Sequence, residues 1–419
     1  MVNVGIDLHK TQFTVCVRSR DKKGEVINTF SKYPTTDEGY AAFLHEAAQY
    51  QRSGEEVRVG VESTGNTRYF KSRMEAAGVG VKVINPAKLK VINESVKKTD
   101  KHDAATIAEF LEHDMLPEAK LCSHESEQIR RVLKVRSTMV KTIVVMKNQI
   151  HALLTAEGME DVKPGTLQSK KGRQRVLDTL NQCNNGLVVQ PLFAMIEGIE
   201  ANVNSVEKQL RTLTKGDRMV KLLLTIPGCG EICAWTIRAY IDDINRFSNP
   251  KKLAAYAGLV PWVQNSNETI HHGKITKRGP KELRTALVQV VMGLRRMKEK
   301  TLAWRLMQRY EAMKAAKGSG KSIIAAARKM ATFIWHMLSK DVEFDLSLMV
   351  DKKLEKKSEA MSRTAKLAEA VVIEKTDTPV VKNAEAVVPE KLDNPVLKIV
   401  ESETKGKAGV ARKKIKKVG

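Results

Sequence analysis

The chain has 419 residues with 42% hydrophobic content, and 72 Lys and Arg against 48 Asp and Glu give a formal net charge of +24 at pH 7. This length predicts two or three domains, and the charge predicts a polyanionic partner, most simply a nucleic acid. No stretch reaches the ~18–20 apolar residues of a membrane span. The N-terminus has the pattern of a first strand rather than of a signal peptide, and five scattered cysteines favour a reducing compartment.

Residues 1–120 alternate strand and helix patterns, and the second and third strands are predicted to form a hairpin around Asp21–Gly24. A hairpin followed by α/β alternation predicts a mixed sheet with helices packed on it. This is the RNase H-like layout, in which catalytic carboxylates lie at strand ends. Strands are expected at 2–8, 12–19, 24–31, 57–62 and 79–84, and helices at 37–51, 66–77 and 101–113.

Four acidic residues lie where such a sheet would place metal ligands. Asp7 and Glu62 close two apolar strands, and Asp100 and Asp103 open a helix on one face. Carboxylates at close range raise each other's pKa, so a cluster of them needs a cation. Taken alone, each acidic residue would be an ordinary turn residue or a negative charge at a helix N-terminus, where the helix dipole favours it. Together they predict a site for Mg²⁺, with Mn²⁺ as an alternative.

Apolar residues recur at alternating three- and four-residue spacing in two stretches between 125 and 215. This repeat favours coiled-coil helices, and the polar stretch 163–185 between them predicts an antiparallel hairpin. A coiled coil that faces a partner is the favoured interpretation, and an ordinary helical bundle is the alternative. The repeating positions are Ile129, Val132, Met139, Ile143, Met146, Ile150 and Leu153, then Leu192, Ile196, Ile199, Val203, Val206, Leu210 and Leu213.

Residues 216–345 are predicted to be mostly helical. The Pro-Gly-x-Gly turn at 227–230 resembles a helix-hairpin-helix, whose backbone amides can face a DNA phosphate. Further on, apolar residues lead to Pro261, a polar loop with Ser266 follows, and the basic turn 274–279 then opens a helix. From about 346 the chain has no aromatic residue and ends in a basic run, which predicts a disordered tail.

A serine in a polar loop is ordinarily only a loop residue. Around Ser266, however, phosphate-binding side chains are dense, and they could neutralise a phosphodiester while the hydroxyl attacks it. Lys97 and Lys98, just before the acidic pair, are assigned to nucleic-acid backbone contacts, with a solvated basic face as the alternative. The predicted phosphate-binding residues near the serine are Lys274, Lys277, Arg278 and Arg284.

Short motifs along the chain resemble the DEDD recombinase family, which contains Piv-type DNA invertases and the transposases of bridge-RNA-guided insertion sequences. The motifs are VGIDLHK at 4–10, GVESTG at 60–65, KTDKHDA at 98–104, IPGCG at 226–230, and AGLVP with ITKRG between 257 and 279. The resemblance covers 1–340. It implies a RuvC-like domain at 1–120, a coiled-coil linker at 121–215, a serine transposase domain at 216–345 and a basic tail at 346–419.

The same resemblance implies catalytic roles for particular residues. Asp7, Glu62, Asp100 and Asp103 correspond to the metal ligands, and Ser266 corresponds to the nucleophile. Asn267 stands where many members have a glycine, which departs from the family pattern next to the serine.

The resemblance also implies partners. These are donor and target DNA, a non-coding bridge RNA, and a second copy of the chain. One subunit's carboxylates meet another subunit's serine, which requires a homodimer, and holding two DNA duplexes together favours assembly to a homotetramer. The resemblance also implies that the protein is cytoplasmic and associated with the nucleoid. A Piv-like invertase, a metal-dependent nuclease that does not use Ser266, and a nucleic-acid-binding protein without catalysis are the alternatives.

Overall fold

A five-stranded mixed sheet forms the N-terminal part of the structure, a computed structural model. Its spatial order is β3-β2-β1-β4-β5; β1, β2 and β3 pair antiparallel, whereas β4 and β5 continue the sheet parallel to β1. This arrangement confirms the predicted mixed sheet of RNase H-like type. The strands are β1 (Val2–Leu8), β2 (Gln12–Arg20), β3 (Val26–Pro34), β4 (Val57–Glu62) and β5 (Val81–Ile84).

The rest of the structure is mainly helical, apart from a second, two-stranded sheet formed by β6 (Pro261–Ser266) and β7 (Thr269–Ile275). Within the described residues, no helix is both long enough and apolar enough to cross a membrane. The helices are α1 (Asp37–Arg52), α2 (Thr67–Ala76), α3 (Asp100–Glu112), α4 (His124–Ala156), α5 (Lys170–Gln182), α6 (Gly186–Leu213), α7 (Arg218–Leu224), α8 (Glu231–Ile241), α9 (Pro250–Tyr256), α10 (Lys281–Arg296), α11 (Arg305–Lys317) and α12 (Ser319–Lys340).

The structure describes residues 1–86, 88–89, 99–159, 162–163, 165–182, 186–266, 269–297, 301 and 304–348. For 264–266 and 269–272 it describes the backbone alone. Lys97, Lys98 and Asn267 lie outside the described residues, and so does the predicted tail beyond a short 3-10 helix at Leu346–Leu348.

Helix α3 lies directly against the sheet because small residues line the contact. A Cβ on Gly5 would lie 2.0 Å from the main-chain oxygen of Ala104 and 2.5 Å from the nitrogen of Ala108. Cys16, which pairs with Gly5 across β1 and β2, packs on the same two alanines. The depth at which α3 sits on the sheet is therefore set by the missing side chain of Gly5.

Both ends of α3 are also fixed by side-chain hydrogen bonds. At the start, the Thr99 hydroxyl accepts a bond from the main-chain N–H of His102. At the end, Glu112 accepts bonds from Arg18 at 2.6 Å and from Arg20 at 2.7 Å, both on β2. The bond from Arg18 lowers the pKa of Glu112 below its ordinary value; partial burial opposes the shift and Arg20 adds to it.

Helices α4 and α6 form an antiparallel pair. Arg136 donates to Glu207 at 2.7 Å, and Lys147 lies 3.7 Å from Glu200, so the positions on α6 decrease as those on α4 increase. Most of the repeating apolar residues face each other within this one chain, which is the bundle alternative rather than a seam that faces a partner. Inside the polar stretch between them lies helix α5, which adds Val176 to the same core.

The C-terminal helices share one core, in which the turn between α7 and α8 packs closely on α10. Gly228 has φ of +78°, and a Cβ on Gly293 would lie 2.4 Å from its carbonyl oxygen. Two helices joined by the Pro-Gly-x-Gly turn are present at this point, as the resemblance to a helix-hairpin-helix predicted. This glycine is needed for packing between helices, which is a structural reason for the motif independent of DNA.

The polar loop predicted around Ser266 is instead the hairpin β6–β7. Ser266 is the last residue of β6 and pairs with Thr269 of β7. This hairpin is hard to predict from the sequence because its apolar residues do not alternate with polar ones. Two of them, Trp262 and Val263 on β6, are 53% and 47% exposed.

We expect Gly5→Ala to destabilise the protein by about 1–3 kcal/mol or more, because the added methyl group must displace the backbone of α3. Gly80→Ala is the matched control, since a Cβ there meets no atom within 4 Å. Chemical denaturation of both variants measures the difference. Equal stability of the two variants would contradict the close packing.

Glu112→Gln should lower stability at pH 7 by about 1–2 kcal/mol, because the charge-assisted bonds to Arg18 and Arg20 are weakened. A lowered carboxyl pKa contributes stability above the ordinary value of 4.5, and this contribution is lost as pH falls through the folded-state pKa. The difference in melting temperature between the variant and the wild type should therefore shrink below pH 4.5. A difference that stays constant down to pH 3 would rule out this ion pair as its cause.

Candidate active site

Asp7, near the end of β1, is the most buried acid of the predicted cluster, with 7% of its surface exposed. Successive side chains alternate across a strand, so Asp7 shares the face of Gly5 and points towards the start of α3. Burial raises the pKa of Asp7; His9 opposes the shift, and Asp100 and Asp103 raise the pKa further. The fold therefore gathers negative charge around a carboxylate that is shielded from water.

His9 links the strand to the helix. Its Nε2 atom lies 3.0 Å from Oδ2 of Asp7 and 3.5 Å from Oδ1 of Asp100. Asp7, His9 and Asp100 can each present a ligand atom, and these atoms lie within 4.8 Å of one another. Lys32 approaches from β3, with Nζ 3.8 Å from Oδ2 of Asp100.

The other two predicted ligands lie beside this group. Ile6 pairs with Val61, so the next residues along the parallel strands, Asp7 and Glu62, are neighbours about 4.8 Å apart in backbone position. Thr67 donates to the main-chain oxygen of Glu62 at 2.7 Å, which fixes the end of β4. Asp103 follows Asp100 by one helical turn on the same face of α3, close enough to raise the pKa of Asp7.

His9 and Lys32 are missing from the sequence-based prediction. A signal for His9 was present, because a residue two positions after Asp7 in extended chain points to the same side. Lys32 is brought in by pairing across two strands: Asp7 pairs with Thr14, and Thr14 pairs with Lys32. That register cannot be read from the local pattern around Lys32.

Ser266 lies in a different part of the fold, at the end of β6, and the structure describes its backbone only. Lys274, near the end of β7, and Lys277 and Arg278, in the turn that follows, are exposed to solvent. Of the predicted phosphate-binding residues near the serine, these three have free access to a ligand.

The base of the hairpin is held by close contacts between two turns. Lys277 N donates to Gly258 O at 3.2 Å, and a Cβ on Gly279 would lie 1.9 Å from the carbonyl oxygen of Tyr256. Arg284 is half-buried, and its Nη1 donates to the main-chain oxygens of Ala257 at 3.1 Å and Lys277 at 3.4 Å. Arg284 thus holds the basic turn in place, a structural role that the sequence did not suggest.

A mixed sheet of this order, with carboxylates at the ends of β1 and β4 and at the start of α3, defines an RNase H-like domain, here joined to a helical C-terminal domain. Residues 4–158 match a family model described as a DEDD transposase, and residues 220–305 match the transposase family IS116/IS110/IS902. The two matches fall in order and together span more than half of the chain. The chain belongs to this DEDD transposase family and is a DNA recombinase or transposase.

Individual relatives agree with this assignment. The transposase for insertion sequence element IS1111A of Coxiella burnetii is 26% identical over 348 residues, covering 80% of this chain and 89% of that protein. A probable family 20 transposase of Pseudomonas aeruginosa is 26% identical over 292 residues, or 68% and 84% of the two chains. The pilin gene-inverting protein of Moraxella lacunata is 33% identical over 129 residues, or 30% and 38%.

Among solved structures, RuvC of Thermus thermophilus is matched with a TM-score of 0.21 and 16% identity, covering 28% of this chain and 100% of that one.

Asp7→Asn and Asp100→Asn should each abolish stabilisation by Mg²⁺ or Mn²⁺, because each removes a charged oxygen ligand from the cluster. Glu109→Gln is the matched control, because Glu109 is an exposed acidic residue on α3, the helix that also carries Asp100. The melting temperature is measured with increasing cation. A wild-type protein that gains no stability, or a loss in all three variants alike, would contradict a metal site at these residues.

His9→Ala should weaken cation affinity about 10- to 100-fold without abolishing binding, the usual effect of losing a residue that orients metal ligands. The same titration measures it, at a fixed pH. An affinity equal to that of the wild type would show that His9 does not support the site.

Proposed function

We propose that this transposase exchanges DNA strands with two kinds of catalytic group. Asp7, Glu62, Asp100 and Asp103 bind a divalent cation, Mg²⁺ or alternatively Mn²⁺, and Ser266 is the nucleophile. The observation that carries the proposal is the approach of Asp7 and Asp100 from separate elements, with His9 between them. The division of the chain at about 120, 215 and 345 is part of the same proposal.

The residues of the cluster suit a hard divalent cation. The donors are carboxylate oxygens, and burial of Asp7 near two other acids concentrates negative charge that His9 and Lys32 only partly offset. When bound, such a cation neutralises charge on a phosphate and polarises its oxygens. The protein's own part is to hold the carboxylates ionised and in position against the cost of burying Asp7.

In the serine step, Oγ of Ser266 attacks a DNA phosphorus and gives its proton to a base. A phosphoserine bond forms, the bond to a deoxyribose oxygen breaks, and that oxygen leaves as a hydroxyl after it takes up a proton. A hydroxyl from the other DNA end then attacks the phosphoserine, which restores the serine. Each bond broken is replaced by one of equal type, so no external energy source is required. Lys274, Lys277 and Arg278 neutralise the phosphate, and Lys97 and Lys98 contact the nucleic-acid backbone.

In this proposal Ser266 of one subunit meets the carboxylates of another, so the site requires a dimer. Holding two DNA duplexes together then favours a tetramer. The heptad residues of α4 and α6 are mostly buried within the chain, so they do not supply the partner surface. Two exposed apolar residues, Val144 and Val145, lie on the side of α4 away from this core, where a second copy can bind.

A non-coding bridge RNA, which pairs with donor and target DNA, is the proposed guide. The second candidate is a Piv-like invertase that reads a fixed site with protein alone. The similarity of 129 residues to the pilin gene-inverting protein supports retaining the invertase as a candidate.

The decisive assay traps a covalent adduct. The full-length protein is mixed with Mg²⁺, donor and target DNA, with or without the RNA encoded beside the gene, and resolved on denaturing gels. The wild type and Thr269→Ala, whose residue pairs with Ser266 across the hairpin, should form the adduct, and Ser266→Ala should not.

The outcomes separate the candidates. An adduct that requires the RNA supports guided recombination, and an adduct without RNA supports the invertase. Cleavage without adduct, unchanged in Ser266→Ala, would leave a metal-dependent nuclease and refute the serine mechanism.

A further inference from the structure

The C-terminal helices carry a positive surface that neither the metal centre nor the basic turn accounts for. Between 281 and 340 the acidic residues are only Glu282, Glu299 and Glu311, whereas Lys and Arg recur throughout the same stretch. These charges are spaced along helices and do not form a run, so they do not stand out in the sequence.

Part of this charge lines a groove of about 550 Å³ between α11 and α12. Arg309 and Lys317 border it on α11, and Arg328 and Lys329 border it on α12; all four are exposed. No acidic side chain is among the described residues that line it. The groove therefore concentrates positive charge in a concave site.

None of the four cations forms an ion pair with another described residue. Lys314, on the same helix but outside the groove, does so with Glu311 at 3.4 Å. The floor is rigid, because Tyr310 and Ala326 belong to the buried C-terminal core. Lys329 Nζ lies 5.1 Å from the centroid of the Phe333 ring, and none of the four cations is neutralised by a described acidic side chain. Positive charge without an acidic partner, above a packed apolar floor, favours binding of a polyanion.

We propose that this groove binds the phosphate backbone of DNA. Arg309 and Lys317 are eight residues apart, which is about 12 Å along a helix, or roughly three to four steps of a DNA strand at ~3.4 Å per step. Four cations at this spacing match a regular row of phosphates better than a single anion. DNA is the polyanion that a transposase handles.

The groove and the basic turn belong to one core. Helix α12 packs on α9 and on α10, and α10 begins directly after the basic turn at 274–279. DNA held at the turn and DNA held in the groove therefore contact one packed unit. The groove lies outside both matched family segments, which end at 158 and 305. It is also independent of whether Ser266 is the nucleophile.

The test compares two double variants of the full-length protein. Arg309→Ala with Arg328→Ala removes charge from both walls of the groove. Lys22→Ala with Lys23→Ala is the control; these exposed lysines lie in the β2–β3 turn, at the end of the sheet away from Asp7. Fluorescence anisotropy with a labelled DNA duplex is measured at several salt concentrations, and melting temperatures confirm folding.

The groove variant should lose about tenfold or more in affinity, and the slope of log affinity against log salt should fall by about 2, one for each phosphate contact. The control should keep the wild-type slope. An unchanged slope in the groove variant, or an equal loss in both variants, would overturn the proposal. A loss seen with labelled single-stranded RNA but not with duplex DNA would assign the groove to RNA and equally overturn it. At saturating DNA the groove variant should still form the Ser266 adduct, so failure here is distinct from failure of the serine mechanism.

Discussion

The contact between Gly5 and the backbone of α3 is the constraint on which the candidate active site depends. A helix that carries two acids at its start can bring them to a strand end only if its axis lies close to the sheet. Gly5 permits this, and Cys16, Ala104 and Ala108 keep the rest of the contact small. Because Asp7 lies two residues beyond Gly5 on the same face, packing and ligand position are set by the same few residues.

Burying Asp7 beside other acidic residues costs free energy, which packing elsewhere must offset. A buried carboxylate with two acidic neighbours favours its neutral form, which a metal site cannot use. His9 and Lys32 offset part of the negative charge, and the bonds that Glu112 accepts from Arg18 and Arg20 on β2 keep α3 from moving away from the sheet. Stability from this contact at the end of the helix thus maintains an unfavourable arrangement at its start.

The sequence alone predicted the sheet well, because β1, β4 and β5 are short apolar runs and α1 and α3 have capping residues. Because the limits of these strands and helices could be predicted, the sequence also placed the acidic residues correctly at strand ends and at a helix start. It failed where structure depends on register or on exposed strands. Lys32 reaches Asp100 only through pairing across β2, and the β6–β7 hairpin has no apolar alternation to reveal it. The heptad repeat predicted the helices and their antiparallel pairing correctly. It did not decide between a core within one chain and a seam that faces a partner, since one period serves both equally.

The hairpin that carries Ser266 combines a fixed base with exposed side chains on β6. At its base, Gly258 and Gly279 allow main-chain contacts that a side chain would block, and Arg284 joins both turns through their carbonyl oxygens. Beyond that base, Trp262 and Val263 are about half exposed. The proposed serine mechanism requires such a position, because a serine packed into its own core could not reach the carboxylates of another subunit. In that mechanism the fixed base sets where Lys277 and Arg278 lie relative to Ser266, so one local fold would position both the attacking hydroxyl and the charge that receives the phosphate.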